Sequence, residues 1–269
     1  MKKGKKEGIL LFLDFEKAFD TVEWPFLIDV LHKFCFKSNF ITWIQTLYRN
    51  ANVRISNNGW ISEPFNIHRG VRQGCPLSAL LFLLVAETMA TKLRNYTMFH
   101  GIMINNITFK ITQLADDTTL FLKNECEIPI VLSIIDQFSK VSGLKLNISK
   151  TIGLCIGKTN ANQINNSHGI KLTNDSIKSL GVYFGNNRES CDHLNWDNKI
   201  DNAVKLIDAW KRRKLTMLGK IVVLKSMFLP RLTYLTQNIV TPKNITKRIN
   251  SIMFNFLWSE KSEKLKEQL

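Results

Sequence analysis

Three aspartates stand where carboxylates are expensive. Asp14 ends an apolar run (ILLFLD, residues 9–14), and Asp116 and Asp117 stand side by side in LADDTTL (residues 114–120). Acidic side chains are seldom placed among apolar neighbours unless something pairs with them. Carboxylates gathered this way suit a hard cation such as Mg²⁺, which keeps several waters and is satisfied by a few protein oxygens. Two such ions, about 3.5–4 Å apart, clamp the attacking and leaving oxygens of an in-line displacement at phosphorus. That is the chemistry of nucleotidyl transfer, in which a 3′-hydroxyl attacks and pyrophosphate leaves. Paired acids also serve glycoside hydrolysis, but that use leaves the charge of the chain unexplained. Lys and Arg number 37 against 22 Asp and Glu, a formal net charge of +15. Such an excess points to an anionic partner, most simply nucleic acid. Alone, Asp-Asp is an ordinary turn pair; its combination with Asp14 is what points to chemistry.

For the three carboxylates to converge, their strands must be neighbours in one antiparallel sheet. Residues 8–15 read as a short buried strand with Asp14 at its end. A strand over 108–111 that continues into Leu114 and a second over 118–122 are expected, with the acidic pair at the β-turn between them. Asp20 and Thr21 look like a helix start, with Glu23 and Pro25 in its first turn, and Ser38 is the expected cap of a second helix. Residues 53–56 and Trp60 onward read as a hairpin around Asn57-Asn58-Gly59. Residues 68–78 (HRGVRQGCPLS) form a loop that opens a long apolar helix from about Ser78 to Tyr96. In that loop Gly74 lets backbone approach a ligand, while Arg69, Arg72 and Gln73 supply donors. A further hairpin turns at Asn105-Asn106, and an amphipathic helix over 128–141 is ended by Gly143. Strands follow at 152–156 and 177–184, the latter broken by Gly181. Beyond Gly185 strand signals give way to helical periods: about 194–214, 217–229 before Pro230, and 246–258. The basic run Lys211-Arg212-Arg213-Lys214 is a candidate phosphate grip.

At 269 residues with 45% hydrophobic content, the chain can bury a real core and is not disordered. No apolar run approaches a membrane span by this reading, the longest stopping at Glu87. Lys2, Lys3, Lys5 and Lys6 before ILLFL imitate a signal peptide, but the apolar part is too short and no small-residue cleavage site follows. The five cysteines are scattered, without a CxxC or Cys/His cluster. A reducing, intracellular setting is expected, nuclear or cytoplasmic.

LFLDFEKAFDTV, RGVRQGCPLSALLF, LADDTTLFL, GLKLNISKT and SLGVYFG follow one another in this order. They resemble the successive palm motifs of reverse transcriptases, specifically those of non-LTR (LINE-type) retrotransposons. The resemblance covers residues 8–185; the helical remainder resembles, more weakly, the thumb that follows. It implies an α+β fold: a polymerase palm with helices on one face of an antiparallel sheet over residues 1–185, then an α-helical thumb-like region over 186–269. It implies an RNA-directed DNA polymerase that joins dNTPs to a primer 3′-hydroxyl, with an RNA template and a DNA primer or target. Two Mg²⁺ ions are the implied cofactor, Mn²⁺ an alternative.

By position, Asp14, Asp116 and Asp117 would be the catalytic metal ligands, assisted by the carbonyl of Phe15. Phe19 falls where the family places its steric gate against a 2′-hydroxyl. Gln73 and Gly74 would contact the incoming nucleotide and its template base, beside Arg72. Lys150 would protonate the leaving pyrophosphate, with Lys145 as rival, and Leu180-Gly181 would be part of the primer grip. Singly, each has a plain alternative: Phe19 a core aromatic, Lys150 a surface lysine, Arg72 a support for its own loop.

Two departures stand out. Leu114 replaces the usual aromatic before Ala-Asp-Asp, a mild apolar change. The fingers that normally precede the Asp14 strand are mostly missing, as are an endonuclease domain and a Cys/His knuckle, so the expectation is a fragment of a longer element protein. Two alternatives compete: a catalytically silent remnant that binds nucleic acid through its basic surface, and a viral-type RNA-dependent RNA polymerase, kept alive by Asp20.

Overall fold

The computed structural model describes residues 7–164 and 168–258. The lysine cluster at 2–6, residues 165–167 of the asparagine-rich loop and the polar tail from Ser259 lie outside the described residues. The chain divides into two compact units, Met1–Asn174 and Asp175–Leu269.

The first unit runs β1 (Gly8–Leu13), α1 (Ala18–Thr21), α2 (Trp24–Lys33) and α3 (Ser38–Tyr48). A hairpin follows, built of β2 (Asn52–Val53), β3 (Ser56–Asn57), β4 (Trp60–Ile61) and β5 (Phe65–Asn66). Then come α4 (Pro76–Asn95), β6 (Ile102–Ile104), β7 (Ile107–Phe109), β8 (Ile111–Leu114), β9 (Asp117–Leu122), α5 (Glu127–Ser142), β10 (Ile152–Ile156) and β11 (Lys171–Thr173). Five strands form one sheet in the order β11-β10-β1-β9-β8. β1 lies between β9 and β10, antiparallel to both, while β11 joins the edge parallel to β10. The sheet is thus antiparallel as expected, except for that edge strand.

Period-2 alternation decides which face is covered. Ile9, Leu11 and Leu13 of β1 and Leu120 and Leu122 of β9 are buried, and they join one core with Leu27 and Leu31 of α2, Val85 and Met89 of α4, and Val131 and Ile135 of α5. The helices therefore cover one face of the sheet. α4 corrects the reading that no run is long enough for a membrane: its 20 residues are apolar enough by length and composition. Packing shows what the apolarity serves here, because Leu81, Phe82, Val85, Ala86, Met89, Ala90 and Leu93 are buried within the protein.

Several local expectations shift. Asp20 and Thr21 end α1 rather than start a helix; α2 begins at Trp24 with Pro25 in its first turn, where a missing N–H costs nothing. Ser38 is the first residue of α3, and Lys37 occupies the cap position without a side-chain bond. Gly143 does end α5, at φ 81. Glu127 opens that helix with its side chain only 4% exposed. Its carboxylate accepts the backbone N–H groups of His100 (2.8 Å) and Lys123 (2.8 Å). Burial without partners would be costly, so Glu127→Ala, which strands two donors, is expected to destabilise the unit by about 2–3 kcal/mol. A urea midpoint unchanged from the wild type would refute this.

The second unit holds β12 (Ser176–Ser179), β13 (Val182–Gly185), α6 (Arg188–Lys211), α7 (Met217–Val223), a π-helical turn (Leu224–Phe228), α8 (Leu229–Asn238) and α9 (Lys243–Trp258). The expected strand over 177–184 is a hairpin: Leu180 (φ 48) and Gly181 (φ 79) both turn left-handed. Asn195 of α6 bonds both backbone groups of Tyr183, so this hairpin belongs with the helices. Trp196, Ile200, Ala203 and Ile207 recur at helical spacing and pack with Phe228, Leu232, Leu235 and Phe256. Pro230 does not stop its helix, contrary to expectation. The turn ahead of it is π-helical, with Leu229 N–H donating to the Leu224 carbonyl, and a wider turn accommodates the ring. The basic run sits at the end of α6, where cations complement the helix dipole. Two of its members are engaged locally: Lys211 pairs with Asp208 at 3.3 Å, and Arg213 lies 4.6 Å over the Trp210 ring.

Candidate active site

The register places the acidic residues at adjoining strand ends. Leu13 pairs with Thr118 across β1 and β9, so Asp14 and Asp117 follow at neighbouring positions. Leu114 pairs with Asp117 across β8 and β9, with Ala115 (φ 54) and Asp116 forming the turn. Partial burial, and then the charges of Asp116 and Asp14, push the Asp117 carboxyl above the usual carboxylate range. Asp117 therefore feels the charges of both other aspartates. Among the described residues no three His, Cys, Asp or Glu side chains are close enough to hold a metal ion in this arrangement. Mutual repulsion between carboxylates disfavours a tight cluster of anions alone.

Past Leu13 the chain stays paired. Phe15 bridges Leu146; Asn147 N–H donates to the Asp14 carbonyl (2.8 Å) and Glu16 N–H to the Lys145 carbonyl (2.9 Å). The Asp14 N–H in turn reaches Thr151 Oγ1 at 3.4 Å. This pairing brings the segment of Lys145 and Lys150 alongside Asp14. Both lysines line one open cavity of about 490 Å³ with Asp14, Phe15, Lys17 and Arg69. Neither lysine is singled out by position: both are exposed, and Lys150 sits in a turn closed on Asn147.

Phe19 is half-buried and stacks on Phe82 of α4, ring centroids 4.5 Å apart and 14° from parallel. The ring is therefore held from behind by a core aromatic. The loop before α4 is stitched to the same region. Val71 N–H donates to the Phe19 carbonyl (2.6 Å), Gly70 N–H to the Val22 carbonyl (2.8 Å), and Trp24 Nε1 to the Gly70 carbonyl (2.8 Å). Arg69 pairs with Glu23 at 3.6 Å. Gln73 Nε2 donates to Asp20 Oδ1 at 3.4 Å. Arg72 is exposed; nearby, burial pushes the Tyr48 hydroxyl up, while a backbone hydrogen bond from Ser78, with a lesser contribution from the Arg72 charge, lowers the Cys75 thiol.

The reading of the sequence picked Gly74 and missed Gly70. A Cβ on Gly74 would meet nothing within 4 Å, whereas one on Gly70 (φ 90) would fall 2.8 Å from the Asp20 carbonyl oxygen. Gly70 is what lets the loop lie against the Asp20 backbone. The repeated glycines of the loop were a visible signal; which one is in close contact was not. Leu114 is exposed, consistent with tolerance of its departure from an aromatic. Leu180-Gly181 lies in the second unit, at the hairpin turn, with the Tyr234 hydroxyl donating to the Leu180 carbonyl.

The reverse transcriptase (RNA-dependent DNA polymerase) family matches residues 1–184. The transposon TX1 uncharacterized 149 kDa protein of Xenopus laevis is 26% identical over 92% of the chain, and the chain spans 19% of its length. The Pol polyprotein of the type-2 retrotransposable element R2DM of Drosophila melanogaster is 33% identical over 53% of the chain, which covers 13% of it. The chain thus spans less than a fifth of either relative. Among solved structures, telomerase from Candida tropicalis in complex with a telomeric RNA fragment aligns over 99% of the chain and 41% of its own, at 14% identity and a TM-score of 0.52. At that identity the likeness concerns the fold, a palm and thumb. A DNA-making rather than RNA-making polymerase family removes the viral-type alternative. The strand-end aspartates, the loop stitched to the Phe19 turn and the ordered motifs around them all lead to one assignment: the chain belongs to the reverse transcriptase (RNA-dependent DNA polymerase) family.

Proposed function

We propose that the chain is the palm and thumb portion of an RNA-directed DNA polymerase, acting on an RNA template and a DNA primer or target as part of a longer element protein. The observation that carries the reading is the register that sets Asp14 and Asp117 at adjoining strand ends beside Asp116. The donor set fits divalent ions: three hard carboxylates, with Asp117 raised by burial and then by its acidic neighbours, in a field that a cation relieves. Asp14, Asp116 and Asp117 would hold two Mg²⁺ ions, with the Phe15 carbonyl beside them. When bound, such ions make the 3′-hydroxyl a better nucleophile and neutralise charge on the leaving pyrophosphate.

The other roles belong to side chains. Phe19, braced by Phe82, presents a fixed ring that a 2′-hydroxyl would clash with. Gln73, with Gly74 and Arg72 in the same loop, faces the incoming nucleotide and its template base, and Asp20 orients the Gln73 amide. Lys150 gives a proton to the leaving pyrophosphate, with Lys145 on the same cavity as the rival donor. Leu180-Gly181 contacts the primer. A setting inside the cell, nuclear or cytoplasmic, accompanies this activity.

Extension of a DNA primer on an RNA template with dNTPs and Mg²⁺ tests the reading; no incorporation by the folded chain would sink stand-alone activity. In the same assay Phe19→Ala is expected to raise ribonucleotide over deoxynucleotide incorporation by roughly tenfold to a hundredfold, since a steric exclusion of this kind is on the order of 1–3 kcal/mol. Unchanged sugar selectivity would remove Phe19 from the gate. A silent nucleic-acid-binding remnant is the second reading, favoured by the separation of the acidic side chains. It predicts binding that survives Asp116→Ala, without any extension by the wild type.

A further inference from the structure

The hairpin between α3 and the loop of Gly70 plays no part in the site above. Its root is fixed: Ile67 N–H donates to the Ala51 carbonyl at 3.0 Å, and Asn52 and Val53 pair with Asn66 and Phe65. Its outer half is a two-stranded ribbon, Ser56-Asn57 against Trp60-Ile61, turning through Asn58 (φ 48) and Gly59 (φ 85). Ser62 N–H continues the ladder to the Ile55 carbonyl at 2.9 Å. Among the described residues of the first unit nothing covers this ribbon. Trp60 is 83% exposed, Ile61 64% and Ile55 61%.

Such a tip is costly as mere surface. A two-stranded ribbon is marginal in water by itself, and large apolar side chains grouped on a surface mark contact sites. Strand alternation places Ile55 and Trp60 on one face, and Arg54 with Ile61 on the other. The surrounding charge is one-sided. Between residues 49 and 75 stand Arg49, Arg54, Arg69 and Arg72, with Glu63 as the sole acid. An exposed indole with a guanidinium on the opposite face of the same ribbon matches an unpaired nucleic-acid strand passing over the ribbon edge, whose bases offer π faces and whose phosphates offer negative charge. A duplex would hide the base faces, and an apolar protein partner would leave Arg54 unmatched.

We propose that this hairpin is a second nucleic-acid contact, in which Trp60 stacks on a base of an unpaired strand and Arg54 takes a neighbouring phosphate. The proposal rests on the chain being a nucleic-acid polymerase, but not on its catalysing extension. Binding is read by fluorescence anisotropy with fluorescein-labelled 16-mers of oligo(U) and oligo(dT), without dNTPs or Mg²⁺, so a failed extension assay and a failed hairpin contact are separate results. W60A is expected to weaken binding about tenfold or more, as loss of one base–aromatic stack does, and W60F to stay near wild type. W60L, apolar but unable to stack like an indole, should lose as much as W60A, which separates stacking from mere apolar burial or misfolding. R54A should lower the salt slope of binding by about one, while W60A leaves that slope unchanged. Equal losses on the two oligomers mean recognition through base and phosphate; a loss confined to oligo(U) adds a 2′-hydroxyl contact to the same site. Wild-type affinity in W60A, or a loss in W60F as large as in W60A, overturns the proposal. So does wild-type self-association that W60A abolishes while oligomer binding is unchanged, since the ribbon would then be a protein interface.

Discussion

Asp116→Ala is expected to cut primer extension by about a thousandfold or more while leaving the fold intact. Withdrawing a carboxylate from a two-metal site removes several kcal/mol of charge stabilisation at the moment of transfer, and about 4 kcal/mol corresponds to that factor. The stability side follows from placement. Asp116 is exposed in the β8–β9 turn, and its charge is one of those pushing the Asp117 carboxyl up. A carboxylate whose folded value is raised favours the folded state at low pH and loses that advantage as pH rises through the raised value. At neutral pH Asp117 therefore bears a penalty that removal of Asp116 relieves. The melting temperature of Asp116→Ala should match or exceed that of the wild type at pH 7, with the excess fading toward acid pH. Lost extension accompanied by a large fall in melting temperature would mean that Asp116 supports structure, and extension at the wild-type rate would remove it from the metal set.

Gly143→Ala is expected to have the largest effect on stability, about 3 kcal/mol or more. Gly143 ends α5 at φ 81, where an L side chain costs on the order of 1–2 kcal/mol by conformation alone. A Cβ there would stand 2.1 Å from the Thr21 carbonyl oxygen. That atom is backbone and cannot rotate aside, so the α5 end and the α1 turn must separate. The backbone bond from Glu23 N–H to the Ser142 carbonyl (2.9 Å) ties the same two segments, and the α1 turn carries Phe19. Urea denaturation followed by circular dichroism reads the loss. Gly74→Ala is the control: at φ 81 with open space around it, it should show the conformational cost alone, about 1 kcal/mol. Equal midpoints for the two variants would show that the Thr21 contact yields without cost.

Much of the candidate site is legible in the sequence because its chemistry is local. Asp14 at the end of an apolar run, Asp116-Asp117 between two strand patterns, and Gly143 after an amphipathic helix all report their own neighbourhood. Turn residues did the same: Asn58-Gly59 and Asn105-Asn106 turn left-handed where expected. Errors gathered where a distant group decides. Pro230 reads as a helix stop, yet a π turn ahead of it carries the helix on. The strand across 177–184 folds back on itself because Leu180-Gly181 turns and Asn195, from the following helix, holds it.

By itself the sequence determined the class of chemistry, the order of motifs and the elements bearing them, since residue type, spacing and hydrophobic period are properties of neighbours along the chain. Only the tertiary structure decided the adjacency of β1 and β9 that sets Asp14 beside Asp117, the stacking of Phe19 on Phe82, the contact that requires Gly70, and the bareness of the Trp60 ribbon. Those depend on pairing between segments far apart in sequence. Register and burial are settled by which faces can be covered together, and no local pattern carries that information.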